Sequence, residues 1–175
     1  TVGALGLPRH LALAGVANRG LAFHDTALTP LVRAARHAVA IDERRRTFPA
    51  TLWDNLEALN AAGAGSYAQA WFPGDHAAVG GGSTCSPLSD DALPWVAEAA
   101  AAAGLTLDPE ATAGWHTTRD FRGPLTAAPR HFPRNLLALH AADRPGPSRR
   151  GDIAAAALHR WHADPTYRPR PLAAA

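Results

Sequence analysis

The run Tyr67-Ala68-Gln69-Ala70-Trp71-Phe72 is cut off by Pro73-Gly74 and followed, six residues later, by Gly80-Gly81-Gly82. A short apolar, aromatic-rich run stopped by Pro-Gly reads as a strand that delivers a loop, here residues 74–82. That feature constrains the chain to an α/β arrangement. In open α/β sheets, loops at the carboxyl ends of strands form the site, and consecutive glycines let a ligand or a second backbone come close.

Helical patterns flank the strand. Thr29-Pro30 is a good helix opening, and Leu31, Ala34, Ala35, Ala38 and Ile41 recur at three- and four-residue spacing, which predicts a helix over 30–43. Arg44-Arg45-Arg46 would close it at the negative end of the dipole, as a solvated run paired with Asp42 and Glu43. A second helix is expected from Ser89, as cap, through Trp95 and an alanine run to Gly104, with Pro94 tolerable only in the first turn. Residues 105–148 carry six prolines and read as an irregular covering segment with a short helical stretch over 135–140. A third helix is predicted over 152–163, with Ile153, Ala156, Ala157, Arg160 and Trp161 on one face. The first 19 residues look like a loop leaving a strand, and the last residues like a frayed tail.

Composition excludes several classes. The chain has 175 residues, 47% hydrophobic and 18% charged, the balance of one globular domain. Its 17 basic residues, all arginine, against 15 acids leave +2, too small and too dispersed to point to nucleic acid. Cys85 is the only cysteine, so no intramolecular disulfide is expected. No apolar run approaches the roughly 18 residues of a membrane-spanning helix. The sequence leaves the compartment undetermined, cytoplasmic or exported. With no Met and an opening Thr1-Val2-Gly3-Ala4-Leu5-Gly6 that starts without an initiator, the chain is expected to be part of a longer domain.

Nine histidines are present. His159 and His162 could share a helix face, but no third ligand has convincing spacing, so neither a metal nor another cofactor is expected. His10, His116, His131 and His140 sit in polar or Pro-rich surroundings without a partner pattern. His76 differs, because it lies directly after the strand, between Pro73-Gly74 and the glycine run. An imidazole placed there can take a proton from a hydroxyl nucleophile and return it near neutral pH. The glycine run is a poor nucleotide loop, since no Lys follows and no G-x-G-x-x-G is present.

The segment from Trp71 to Gly82 resembles the "FPG-x-H-x-x-VGGG" segment of the DUF2235 family, an α/β-hydrolase-like group that includes type VI secretion phospholipase effectors. Four more segments match in order. Thr1-Val2-Gly3-Ala4-Leu5-Gly6 resembles the end of "WDTVGALG", Phe23-His24-Asp25-Thr26 matches "FHDT", and Ala40-Ile41-Asp42-Glu43-Arg44-Arg45 matches "A-x-DERR". Leu88-Ser89-Asp90-Asp91-Ala92-Leu93 with Trp95 resembles "LSD-x-AL-x-W". Together they span residues 1–107, the expected C-terminal part of the hydrolase domain, with 108–175 as its covering segment and terminal helix.

The resemblance implies the C-terminal portion of a doubly wound sheet and a Ser-Asp-His triad acting on an ester of the phospholipid class. His76 takes the histidine role by position. The aspartate would fall just before Thr1 and the serine, on a G-x-S-x-G elbow, further upstream, so the chain would lack the N-terminal part of its own domain. Ala77 and Ala78 stand where many members carry a Ser or an acid. His24 and Asp25 would line the substrate pocket or, the preferred reading, anchor the turn before Pro30. None of Ser66, Ser83, Ser86, Ser89 and Ser148 stands in G-x-S-x-G, so the chain by itself is not expected to hydrolyse esters. The rival expectation is a non-catalytic remnant or binding module.

Overall fold

A computed structural model describes residues 27–29, 31–45, 48–63, 65–82, 86–125 and 141–173. Two parallel strands, β1 (Ala34–Ala40) and β2 (Ser66–Phe72), pair in register from Ala34 opposite Ser66 to Ala40 opposite Phe72. The connection between them carries a short helix, α1 (Leu56–Ala61). After β2 come α2 (His76–Gly80), α3 (Ser89–Ala102), α4 (Pro109–Thr112) and α5 (Trp115–Thr118). A 3₁₀ turn (Arg150–Asp152), α6 (Ala155–Ala163) and α7 (Arg170–Ala173) complete the described chain. It is a small α/β fold.

Side chains alternate across the pair, as the pleat requires. Val39, Ile41 and Trp71 point to one face and pack with Ala157 of α6, Tyr167 and Leu172 of α7. Ala40 and Phe72 point to the other and pack with Val79 of α2 and Ala92 of α3. Helices therefore cover both faces. On its second edge β2 meets Ile153 through a parallel bridge at Trp71, and the Ala154 N–H donates to the Trp71 carbonyl at 3.0 Å.

The strand expected over 67–72 is present, and so are the helices from Ser89 and over 152–163, the latter opening three residues later. The helix expected over 30–43 is instead β1. Its supposed stripe was largely alanine, which fits either period. Val39 and Ile41, β-branched and two apart, both need the core, while Leu31 is 91% exposed. The loop expected over 74–82 contains α2. Asp75 caps it by accepting from the Ala78 N–H at 2.8 Å, and Gly81 closes it at φ +84°. In α3, Leu88 rather than Ser89 occupies the cap position, and Pro94 is the sixth helical residue, where it forfeits the bond to the Asp90 carbonyl.

Residues 105–125 are less irregular than expected, since α4 and α5 lie there, and the tail is packed, with Pro171 and Leu172 buried. The short stretch expected over 135–140 and the loop over the first 19 residues lie outside the described residues.

The loop-to-helix correction is testable by substituting two of its glycines. Gly74 has φ +114°, and a Cβ there would sit 2.9 Å from the Ala78 Cβ. Gly80 is helical and faces open space. Gly74→Ala should lower stability by more than about 1 kcal/mol, whereas Gly80→Ala should be neutral or gain up to about 1 kcal/mol, both read from urea midpoints.

Candidate active site

Because β1 and β2 run parallel and end level, the residues just beyond them emerge side by side. After β1 come Ile41, Asp42 and Glu43, and after β2 come Pro73, Gly74, Asp75 and His76. Backbone bonds continue past the strands, from Ile41 N–H to the Phe72 carbonyl at 2.9 Å and from Asp42 N–H to the Gly74 carbonyl at 3.0 Å. The Asp42 side chain returns a bond, its Oδ2 accepting the Gly74 N–H at 2.7 Å and the Tyr167 hydroxyl at 3.0 Å. Burial pushes the Asp42 carboxyl up, and these two donors partly oppose it.

This register places Glu43 against His76. Glu43 is only 2% exposed, and its Oε2 lies 2.5 Å from His76 Nδ1. Arg45 holds the same carboxylate with its Nε on Oε1 at 2.9 Å, its Nη2 on Oε2 at 2.7 Å and its backbone N–H on Oε1 at 2.8 Å. Burial would raise the Glu43 carboxyl, but the bonds from Arg45 and His76 outweigh it and hold it at about 2. The imidazole stacks on Phe48 with centroids 4.7 Å apart and planes 15° apart, and the Arg45 guanidinium lies 4.6 Å from the centre of the same ring.

Nδ1 is thus committed, while the His76 side chain stays 44% exposed at the edge of a cavity of about 540 Å3. Among the described residues no hydrogen bond engages Nε2. Val39, Val79, Ala92, Leu93 and Val96 make the cavity mostly apolar, with Leu93 and Val96 partly exposed. Arg144 also borders it, donating to the Ala40 carbonyl at 2.8 Å and the Phe48 carbonyl at 2.7 Å, so it ties the end of β1 to the segment carrying Phe48.

Of the residues singled out from the sequence, His76 lies at this site, although on a capped helix. His24 and Asp25, together with Ser83, Cys85, His10, His131 and His140, lie outside the described residues. Ser89 borders the cavity, but its hydroxyl donates to the Ser86 carbonyl at 2.8 Å. His159 packs edge-on against Phe121, and among the described residues no three His, Cys, Asp or Glu side chains form a metal-binding group. No described helix is long and apolar enough to cross a membrane.

Sequence reasoning missed two residues. Glu43, expected at a solvated helix end, is buried, although its pairing with the arginine run is real, and Arg44 pairs instead with Asp143 at 3.1 Å. His37, hidden inside the expected helix, is a buried strand residue on the same cavity, with Nδ1 2.9 Å from Gln69 Oε1. That oxygen also accepts the Trp53 N–H at 3.1 Å, so Nδ1 carries the proton; burial lowers the His37 pKa and favours the neutral ring.

A family model described as type VI secretion system phospholipase effector Tle1-like, catalytic domain, matches residues 1–99. The chain belongs to this family. No curated protein and no solved structure matches it significantly. The Tle1-like assignment agrees with the DUF2235 resemblance and makes the chain a member of a phospholipase-like hydrolase family, so the site around His76 lies within the part of the chain that the catalytic-domain model matches.

The Tle1-like chain should show the Glu43 contacts in its acid stability. A carboxyl at about 2 in the fold against an ordinary 4.5 stabilises the folded state above pH 4.5, and that contribution disappears as pH falls toward 2. Its full size is about 3 kcal/mol. In urea unfolding, Glu43→Gln should be less stable than wild type at neutral pH, and the gap should narrow steadily across that window.

Proposed function

We propose that this chain carries the general base of a serine ester hydrolase acting on phospholipids, with His76 as that base. The observation that carries this reading is the setting of the imidazole, with Nδ1 bound to a buried carboxylate on a half-exposed ring that borders an apolar cavity. In such a reaction the serine oxygen forms a bond to the ester carbonyl carbon and gives its proton to Nε2. The tetrahedral adduct collapses, the bond to the leaving alcohol breaks, and the same proton passes to that alcohol. Water then hydrolyses the acyl-enzyme by the same route. The cavity, with Leu93 and Val96 at its rim, suits the acyl chain.

On this reading β1 and β2 belong to a doubly wound, hydrolase-like sheet, as their parallel pairing and two-sided helical cover suggest. The nucleophile comes from sequence encoded N-terminal to Thr1, because none of the chain's serines stands in a nucleophile elbow. That same feature favours a second reading, a non-catalytic module that retains the cavity and lacks the chemistry.

The two readings separate on phosphatidylcholine mixed micelles, assayed with the chain expressed with and without the residues encoded upstream of Thr1. The extended protein should release fatty acid, and His76→Ala should reduce its turnover by about 10³-fold or more. Unchanged turnover in His76→Ala would sink the catalytic assignment. An inactive but lipid-binding extended protein would establish the second reading.

A further inference from the structure

We propose that Arg144 is an anion-binding residue, holding the single oxyanion of an amphiphile, a phosphodiester or a carboxylate, whose apolar chain lies in the cavity beside His76. This rests on the reading of that cavity as an acyl-chain site and names where the ligand's charge is met. Arg144 lies beyond residues 1–99, the part of the chain that the family model matches.

A guanidinium is charged at every pH the protein meets, so one that is partly buried needs an anion or strong acceptors around it. Arg144 donates Nη1 to the Ala40 carbonyl and Nη2 to the Phe48 carbonyl, two of its five N–H groups. Its Nε is buried and has no partner among the described residues. Carbonyl dipoles lessen the cost of burial but leave the full charge in place. All of the chain's 15 acids except Asp25 are among the described residues, and none of those forms an ion pair with Arg144. Burial pulls the guanidinium below its usual range, with Glu43 opposing this and Arg45 adding to it.

The position of the charge selects the ligand. Arg144 borders the cavity of about 540 Å3, whose lining holds no acid, and also a second of about 280 Å3, with Phe48, Pro49 and Ala50 common to both. In the second, each acid has its own arginine, Glu43 with Arg45 at 2.7 Å and Asp143 with Arg44 at 3.1 Å. Arg160 also donates to two carbonyls, but the Tyr167 ring lies 4.9 Å from it and it lines neither cavity. The uncompensated charge where the two cavities meet is thus that of Arg144. A ligand with an apolar chain for the larger cavity and one oxyanion for this guanidinium meets both conditions, whereas a neutral lipid meets one.

Phe48 places its carbonyl on Arg144 and its ring on His76, so the charge is fixed to the segment that backs the imidazole. In a glycerophospholipid only a few bonds separate the phosphodiester from an acyl ester. In the released fatty acid the carboxylate carbon is the former ester carbon itself. Substrate and product of the proposed reaction therefore both bring an oxyanion close to the reacting atoms.

Isothermal titration of the chain with decanoate, decylphosphocholine and decanol, each below the concentration at which it aggregates, tests the proposal at about pH 8, where the carboxylate is ionised. Arg144→Gln should weaken binding of one or both anions by about 10- to 100-fold and leave decanol within about 2-fold. Loss confined to decylphosphocholine assigns the site to the substrate's phosphodiester, loss confined to decanoate assigns it to the released carboxylate, and loss of both assigns it to either oxyanion. Wild type that binds neither anion, undiminished binding of both in the variant, or an equal loss for decanol overturns the proposal, the last because a merely structural Arg144 would move all three probes alike. Should the variant fail to fold, the side-chain Nε–H NMR signal of Arg144 in wild type should shift on saturation with an anion and not with decanol, and an unmoved signal overturns the proposal. Decanol bound by neither protein would remove the acyl-chain reading of the cavity, while Arg144-dependent binding of an anion would keep this site. No turnover is involved, so activity in His76→Ala bears on the proposed function alone.

Discussion

A carboxylate that is 2% exposed stays ionised only if donors replace the water it has lost, and at Glu43 those donors come from both sides of the site. Arg45 supplies three bonds from the chain leaving β1, and His76 supplies the fourth from the chain leaving β2. The group therefore joins the two strand ends chemically at the point where the sheet's own hydrogen bonds run out. Removing it would leave a guanidinium and an imidazole facing each other at 2.8 Å with nothing negative between them. The local geometry of Arg45, Phe48 and His76 all refers to this one anion.

The rest of the fold holds the strand ends level. Trp71, buried opposite Val39 in the register, packs against α6 and α7, and Phe72, opposite Ala40, packs against α2 and α3. Tyr167 reaches from the C-terminal layer to Asp42 Oδ2, which in turn binds the Gly74 N–H, so the turn that presents His76 is braced from the opposite face of the sheet. Arg160 lies 4.9 Å from the Tyr167 ring centre and donates to the Phe121 and Gly123 carbonyls at 2.8 and 2.7 Å, adding residues 121–123 to the same brace. A change in the C-terminal layer thus reaches the site through Tyr167 and Asp42 rather than through direct contact.

The parts of this arrangement legible in the sequence are those whose local signals admit one answer. Aromatic residues ending in Pro-Gly gave a strand over 67–72, and an alanine-rich stretch closing at Gly104 gave a long helix. Residues 34–40 had no such signal, because four of the seven are alanine and the stripe they formed at helical spacing cost nothing to imagine. What decides their state is tertiary. Val39 and Ile41 need the core that Trp71 builds, and β2 needs a parallel partner. The same misreading hid Glu43 and His37, since on a helix Glu43 becomes a solvated terminal acid and His37 one member of an unremarked face. His76 stood out through its Pro, Gly and strand neighbours, but its carboxylate partner is 33 residues away and only the register brings them together.

For ester chemistry the separation of the two imidazole nitrogens matters more than the presence of the ring. A histidine open to water on both sides exchanges tautomers freely, and a hydroxyl approaching it meets an acceptor only part of the time. Here the side facing Glu43 is held by the guanidinium and the Phe48 ring, and the residue borders a cavity lined largely by Val, Leu and Ala. An apolar acyl group entering that cavity would exclude water from the exposed part of the imidazole while leaving the carboxylate undisturbed, because Glu43 is already buried and its charge already matched by Arg45. On the proposed function, the acyl chain and the carboxylate lie on opposite faces of one side chain, so filling the cavity leaves the charge network intact.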